Sequence, residues 1–118
     1  MAVRALVVDD DEAFRVLVAA VLRGVAVVVE QASDGETAVR MARELRPDIV
    51  VMDISMPRMD GITAARAIQA AVPSARIVFV SGTETQQKLR EASVYGAVVE
   101  KHVADLEAEL RAVVRLAA

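Results

Sequence analysis

The sequence predicts an α/β domain in which a five-stranded parallel sheet carries helices on both faces. Three observations lead there. Short Val/Ile-rich runs alternate with longer stretches of helical periodicity, in the order βαβαβαβαβα. Most of the runs are continuously apolar rather than alternating, as strands covered on both faces are. Several runs also end on a chemically capable residue: Leu6-Val7-Val8 on Asp9, Ile49-Val50-Val51-Met52 on Asp53, Ile77-Val78-Phe79-Val80 on Ser81, and Val98-Val99 through Glu100 on Lys101. Strands that alternate with helices call for right-handed crossovers and a doubly wound sheet.

The first strand is expected over Arg4–Val8. The triplet Asp9, Asp10, Asp11 follows, and either Asp10 or Asp11 can accept from the free N–H groups of a helix start. Phe14, Leu17, Val18, Val21 and Leu22 form the apolar stripe of that helix. The second strand is expected over Val25–Gln31. Asp34-Gly35 ends it and can cap the second helix, whose stripe is Ala38, Met41, Ala42 and Leu45. Pro47 stops this helix ahead of a third strand over Asp48–Met52. Asp60 is the expected N-cap of the third helix, which carries Ile62, Ala65 and Ile68 and ends at Pro73. A fourth strand is expected over Arg76–Val80.

Glu84–Ala92 is the weakest helix, with Leu89 as its one large apolar residue. Few buried contacts predict an element that shifts at low cost, and a frayed surface helix without a role is the bland alternative. The fifth strand is expected over Ala97–Glu100. Val103, Leu106, Leu110, Val113 and Ala117 then form the face of a last helix covering the sheet, rather than a coiled-coil seam.

Composition narrows the function. A length of 118 residues with 55% apolar content fits one globular domain with a real core, spanning residues 1–118. A net charge of −3 gives no electrostatic reason to bind nucleic acid or an anionic membrane. No uncharged stretch reaches the roughly 18 apolar residues that a membrane span needs. The acidic triplet cuts the N-terminal apolar run short, so it is a poor signal peptide. The lack of Cys excludes disulfides and thiolate metal sites and is compatible with a cytoplasmic location. There are no repeats, low-complexity segments or linkers.

In an open α/β sheet, ligands sit beyond the carboxyl ends of the strands where strand order reverses. For the flavodoxin-like order 2-1-3-4-5, that point lies between the first and third strands, so Asp9 and Asp10 meet Asp53 there. Hard carboxylate oxygens of this kind suit Mg²⁺, which takes few protein ligands and keeps several waters. Asp53 follows four apolar residues and precedes a loop, so helix capping does not account for it. Ser81 could donate to an anion held at Asp53, and Gly82 leaves space beside it. Lys101 is one of only two lysines against twelve arginines, and at a strand end it could reach inward as a compact positive charge. The bland reading of Lys101 is a solvated strand terminus. Together the residues offer a carboxylate nucleophile, a divalent-metal site and two groups able to receive a phosphoryl oxygen.

These residues closely resemble a response-regulator receiver domain of two-component signalling, over essentially the whole chain. The resemblance is carried by Val8-Asp9-Asp10, the string from Asp53 through Met56-Pro57 and Met59-Asp60-Gly61, Val80-Ser81-Gly82, and Glu100-Lys101. It implies that Asp53 accepts a phosphoryl group from a phosphohistidine of a sensor histidine kinase or phosphotransfer protein. It implies that Asp10, Asp53 and the Ser55 backbone carbonyl bind Mg²⁺, with Asp9 helping directly or through water. Lys101 would contact the acyl phosphate, and Ser81 would move toward it and carry the signal to the fourth helix and fifth strand. An output domain or effector protein would receive that signal, and a homodimer through the helix 4–strand 5–helix 5 face is a further expectation. The chain ends with the last helix, so no output domain is expected within it, nor any enzymatic activity beyond its own phosphorylation and slow dephosphorylation.

The chain departs from the family pattern near its fifth strand. Val98 stands where receivers often carry Tyr or Phe, Tyr95 lies three residues further back, and His102 follows Lys101 where many members have Pro. These departures put the usual rotation of an aromatic ring in question, and His102 is expected at the surface. Two other functions compete. A Mg²⁺-dependent phosphohydrolase with an aspartyl nucleophile usually has a second Asp two residues on, where this chain has Ser55. A degenerate receiver acting as a phosphorylation-independent scaffold would not need the intact acidic pair, Asp53, Ser81 and Lys101.

Overall fold

The computed structural model describes residues 3–26, 28–102 and 105–117. The elements run β1 (Arg4–Val8), α1 (Glu12–Leu22), β2 (Val28–Ala32), α2 (Gly35–Leu45), β3 (Ile49–Asp53), α3 (Gly61–Ala71), β4 (Arg76–Ser81), α4 (Gln86–Ser93), β5 (Gly96–Glu100) and α5 (Leu106–Ala117). All neighbouring strands pair in parallel, in the order β2-β1-β3-β4-β5. This is the flavodoxin-like doubly wound α/β architecture that the alternating pattern predicts.

Strand residues alternate between two apolar clusters, one on each face. Leu6, Val8, Val50, Met52, Ile77 and Phe79 face α2, α3 and α4. Ala5, Val7, Ile49, Val51, Val78 and Val80 face α1 and α5. Every residue of β3 is buried, which is why its sequence is apolar without alternation until Asp53.

Capping residues set the helix starts. Asp34 and Asp60 accept from the N–H groups of Thr37 and Thr63 at 2.8 and 2.9 Å, as their positions predict. Asp11, rather than Asp10, caps α1, accepting from Ala13 and Phe14. At the far end of α2, Arg46 takes a left-handed φ of 51° and Pro47 prevents continuation.

The structure corrects several boundaries. The second strand begins at Val28, because the N–H groups of Val25 and Ala26 close the end of α1 on the Leu22 carbonyl at 2.9 and 2.7 Å. Val27, also in the expected strand, lies outside the described residues. The fourth helix starts at Gln86 with Thr85 as N-cap, so Glu84 belongs to the preceding loop. Ala92 is its one buried residue and Leu89 is half-buried, which matches the thin anchoring expected of it. Leu17 stands 52% exposed on the flank of α1, and Ala19 takes a buried place instead. In α5, Leu110 is buried as expected, and Val114 joins it while Val113 lies only half-buried. Val103 and the side chain of Ala117, the ends of that expected stripe, lie outside the described residues.

One glycine fixes how α3 meets the sheet. A Cβ on Gly61 would stand 2.0 Å from the Asp53 carbonyl oxygen, while Gly61 N–H donates to the Ile54 carbonyl at 2.8 Å. By contrast, a Cβ on Gly82 would meet no atom within 4 Å. Gly61→Ala should therefore destabilise the fold by about 3 kcal/mol as strand end and helix are forced apart. Gly82→Ala should change stability by no more than about 1 kcal/mol. Urea denaturation of the two variants checks this, and equal costs would contradict the close approach at Gly61.

Candidate functional site

The sheet order places the ends of β1 and β3 side by side, with Val8 opposite Met52. It also sets Asp53 opposite Val80, and Ser81 opposite Glu100. Each functional side chain therefore sits at or just beyond a strand's carboxyl end, on adjacent strands. Asp9 and Asp53 are only 1% and 4% exposed, whereas Asp10 is exposed. Asp9, Asp10 and Asp53 each offer a carboxylate oxygen, and these atoms lie within 4.8 Å of one another.

Lys101 reaches inward, not into solvent. Its Nζ lies 3.0 Å from Asp9 Oδ2 and 3.4 Å from Asp53 Oδ1. The ammonium also sits 4.5 Å from the centre of the Phe14 ring on α1. Burial works against the Lys101 charge, but bonding to Asp9 and the charges of both carboxylates hold its pKa above the ordinary value. Asp9 is fixed further, since its Oδ1 accepts from the Asp11 N–H at 2.9 Å. Arg15 Nη1 donates to the Asp9 carbonyl at 2.9 Å while its Nε donates to Gln31, tying β1 to β2.

Asp53 carries the strain of this arrangement. Burial, followed by the neighbouring Asp9 charge, pushes its pKa up from 3.8 to about 7, although Lys101 pulls the other way. A cluster of hard oxygen donors, mutually repelling and open on the Asp10 side, fits a hard divalent cation such as Mg²⁺.

Ser81 is buried, and its hydroxyl donates to the carboxylate of Glu84 rather than to Asp53. Ser55 is exposed in the loop after β3. Nothing in the residue spacing points to this role for Glu84, which the helical pattern places in the expected fourth helix. Phe14 was legible only as core, because nothing in its spacing distinguishes a packing ring from one beneath an ammonium.

The fifth-strand region is held differently from the site. The Tyr95 hydroxyl accepts from Arg66 Nε at 3.0 Å, and the Arg66 guanidinium lies 5.6 Å from the ring centre. Gln69 Nε2 donates to the Tyr95 carbonyl at 3.0 Å, so Tyr95 is fastened to α3. Val98 packs into the core on the α3 and α4 side, and His102 is exposed as expected. Lys88 Nζ bonds Asp60 Oδ2 at 2.9 Å, linking α4 to the N-cap of α3. No helix among the described residues is long and apolar enough to cross a membrane.

Comparison with known proteins places this geometry in a family. The family model described as Response regulator receiver domain matches residues 5–114. A protein-glutamate methylesterase/protein-glutamine glutaminase of Alkalilimnicola ehrlichii is 41% identical over 121 residues, covering 98% of this chain and 31% of that protein. The chain thus spans about a third of the length of that relative. The response regulator domain of Thermotoga maritima CheB superposes with a TM-score of 0.80 at 27% identity, covering 99% of this chain and 94% of that one. The signal receiver domain of NarL from Mycobacterium tuberculosis gives a TM-score of 0.82 at 29% identity, covering 98% and 96% of the two chains.

The raised pKa of Asp53 has a thermodynamic consequence. Its folded-state value lies above its unfolded value, so its favourable contribution is complete below about pH 4 and is lost as pH rises through about 7. With divalent ions chelated, Asp53→Asn should raise Tm by about 5 °C at pH 8, and the gain should fall to less than half at pH 5. Scanning calorimetry at both values checks this, and a gain that does not change with pH would contradict it.

Proposed function

The chain belongs to the response regulator receiver domain family, and from that membership we propose that it is a phosphorylation switch. Asp53 accepts a phosphoryl group from the phosphohistidine of a sensor histidine kinase or phosphotransfer protein. The observation that carries this reading is a buried Asp53 carboxylate grouped with those of Asp9 and Asp10 and contacted by the Lys101 ammonium, which also bonds Asp9. A nucleophile in such a place is held for reaction at a charged, in-line centre.

An Asp53 carboxylate oxygen attacks phosphorus, the P–N bond breaks, and its electron pair returns to the imidazole nitrogen. A Mg²⁺ ion held by Asp9, Asp10, Asp53 and the Ser55 backbone carbonyl would neutralise charge on the transferring oxygens. Lys101, already within 3.4 Å of Asp53, is placed to contact a phosphoryl oxygen, and Ser81 is one strand away. Because Lys101 bonds Asp9 and Asp53 at once, phosphorylation of Asp53 also redistributes its contacts.

The signal then leaves through α4 and β5 toward an output domain, an effector protein or a second copy docked on the α4–β5–α5 face. The domain works in the cytoplasm and makes no nucleic-acid or membrane contact of its own. We assign it no activity on any other substrate. The activity in the Alkalilimnicola relative's name is not carried over to this chain, which matches 31% of that protein. The scaffold reading draws support from β5, where Val98 replaces an aromatic ring and Tyr95 is fastened to α3. The intact cluster of Asp9, Asp10, Asp53 and Lys101 favours the switch.

Incubation with acetyl phosphate and Mg²⁺, followed by intact mass, tests the proposal. A single phosphoryl adduct should form, disappear with chelator, and be absent in Asp53→Asn. Failure to form the adduct at saturating donor would overturn the switch and leave the scaffold.

A further inference from the structure

We propose that Glu84 is a positioning residue that holds the Ser81 hydroxyl until Asp53 is phosphorylated, so that switching exchanges the Ser81–Glu84 bond for one from Ser81 to the phosphoryl group. This rests on the reading of Asp53 as phosphoryl acceptor. A serine hydroxyl has one proton to donate. In this structure that proton is committed to Glu84, and Ser81 is buried while it is so committed. The acceptor is a carboxylate, and hydrogen bonds to ionised acceptors are among the stronger ones. Burial disfavours the Glu84 charge, but the Ser81 hydroxyl, its own backbone N–H and the Ser55 side chain, with the Lys101 charge nearby, hold its pKa below the ordinary value.

Glu84 thereby fastens the loop after β4 to the end of that strand. A phosphoryl group on Asp53 competes for the Ser81 proton with more negative charge than Glu84 can offer. Once the Ser81 hydroxyl donates to the phosphoryl oxygen instead, Glu84 loses a donor and faces an added anion, so it is driven outward. Its neighbour Thr85 is the N-cap of α4, accepting from the Lys88 N–H at 3.2 Å. α4 resists little, having one buried residue, and the open space beside Gly82 lets the loop move without a clash. Glu84 therefore sets the cost of switching and couples it to α4 without any aromatic ring.

The test is a titration of the intact chain with beryllofluoride and Mg²⁺, read by amide NMR shifts, in four proteins: wild type, Glu84→Ala, Ser81→Ala and the double variant. Glu84→Gln, which keeps an uncharged acceptor, is a fifth. Glu84→Ala should tighten apparent beryllofluoride affinity about tenfold when Ser81 is present, and less than about twofold when it is not. Glu84→Gln should fall between wild type and Glu84→Ala. Equal tightening in both backgrounds would show simple charge repulsion and overturn the proposal, as would no tightening in either. A wild-type chain that takes no beryllofluoride would remove the acceptor reading and this inference together. Uptake that is insensitive to Glu84 would remove the inference alone.

Discussion

Asp9 and Asp53 lie buried on adjacent strands with carboxylates close enough to share one cation, and the Lys101 ammonium reaches both. Two carboxylates so placed cannot both stay ionised without nearby positive charge. The fold is arranged around that requirement. Parallel order 2-1-3-4-5 brings the ends of β1 and β3 together, and β5 delivers Lys101 from the opposite edge. Gly61 lets α3 approach the Asp53 carbonyl, and Asp11 caps α1 while its N–H steadies Asp9. The repulsion that remains is of the kind a bound divalent cation would relieve.

The side that would pass a signal outward is built from weaker parts. α4 buries one residue and is linked to its surroundings by the Lys88–Asp60 ion pair, which is half-exposed and so contributes little stability. β5 carries Val98 instead of a large ring, and Tyr95 is engaged by Arg66 and Gln69 on α3. Strong constraint at the carboxylates and weak constraint at α4 suit a domain in which a local charge change moves a loosely held helix.

Most of the architecture was legible because strands covered on both faces must be continuously apolar, and helix caps must be polar. The same rule misplaced the start of β2, since Val25 and Ala26 are apolar yet spend their N–H groups on closing α1. Leu17 misled because a helix stripe at the flank of its groove can face solvent with no change in spacing. Asp53, Ser81 and Lys101 could be singled out as residues breaking an apolar run, whereas the division of labour between Asp10 and Asp11 needed the cap geometry. Glu84 was invisible, because its contact with Ser81 depends on how the loop after β4 turns back and not on any pattern along the chain.

The ionisation state of the Asp53 carboxyl reports on the pocket most directly, and a carbon-13 NMR titration can follow it by itself. With divalent ions chelated, its midpoint should lie near the value of about 7 that burial and Asp9 impose. At saturating Mg²⁺ the midpoint should drop by more than two pH units, because a bound cation favours the ionised form. An ordinary midpoint in chelator, or one that Mg²⁺ leaves where it was, would contradict the claim that repelling carboxylates make this pocket a cation-dependent site.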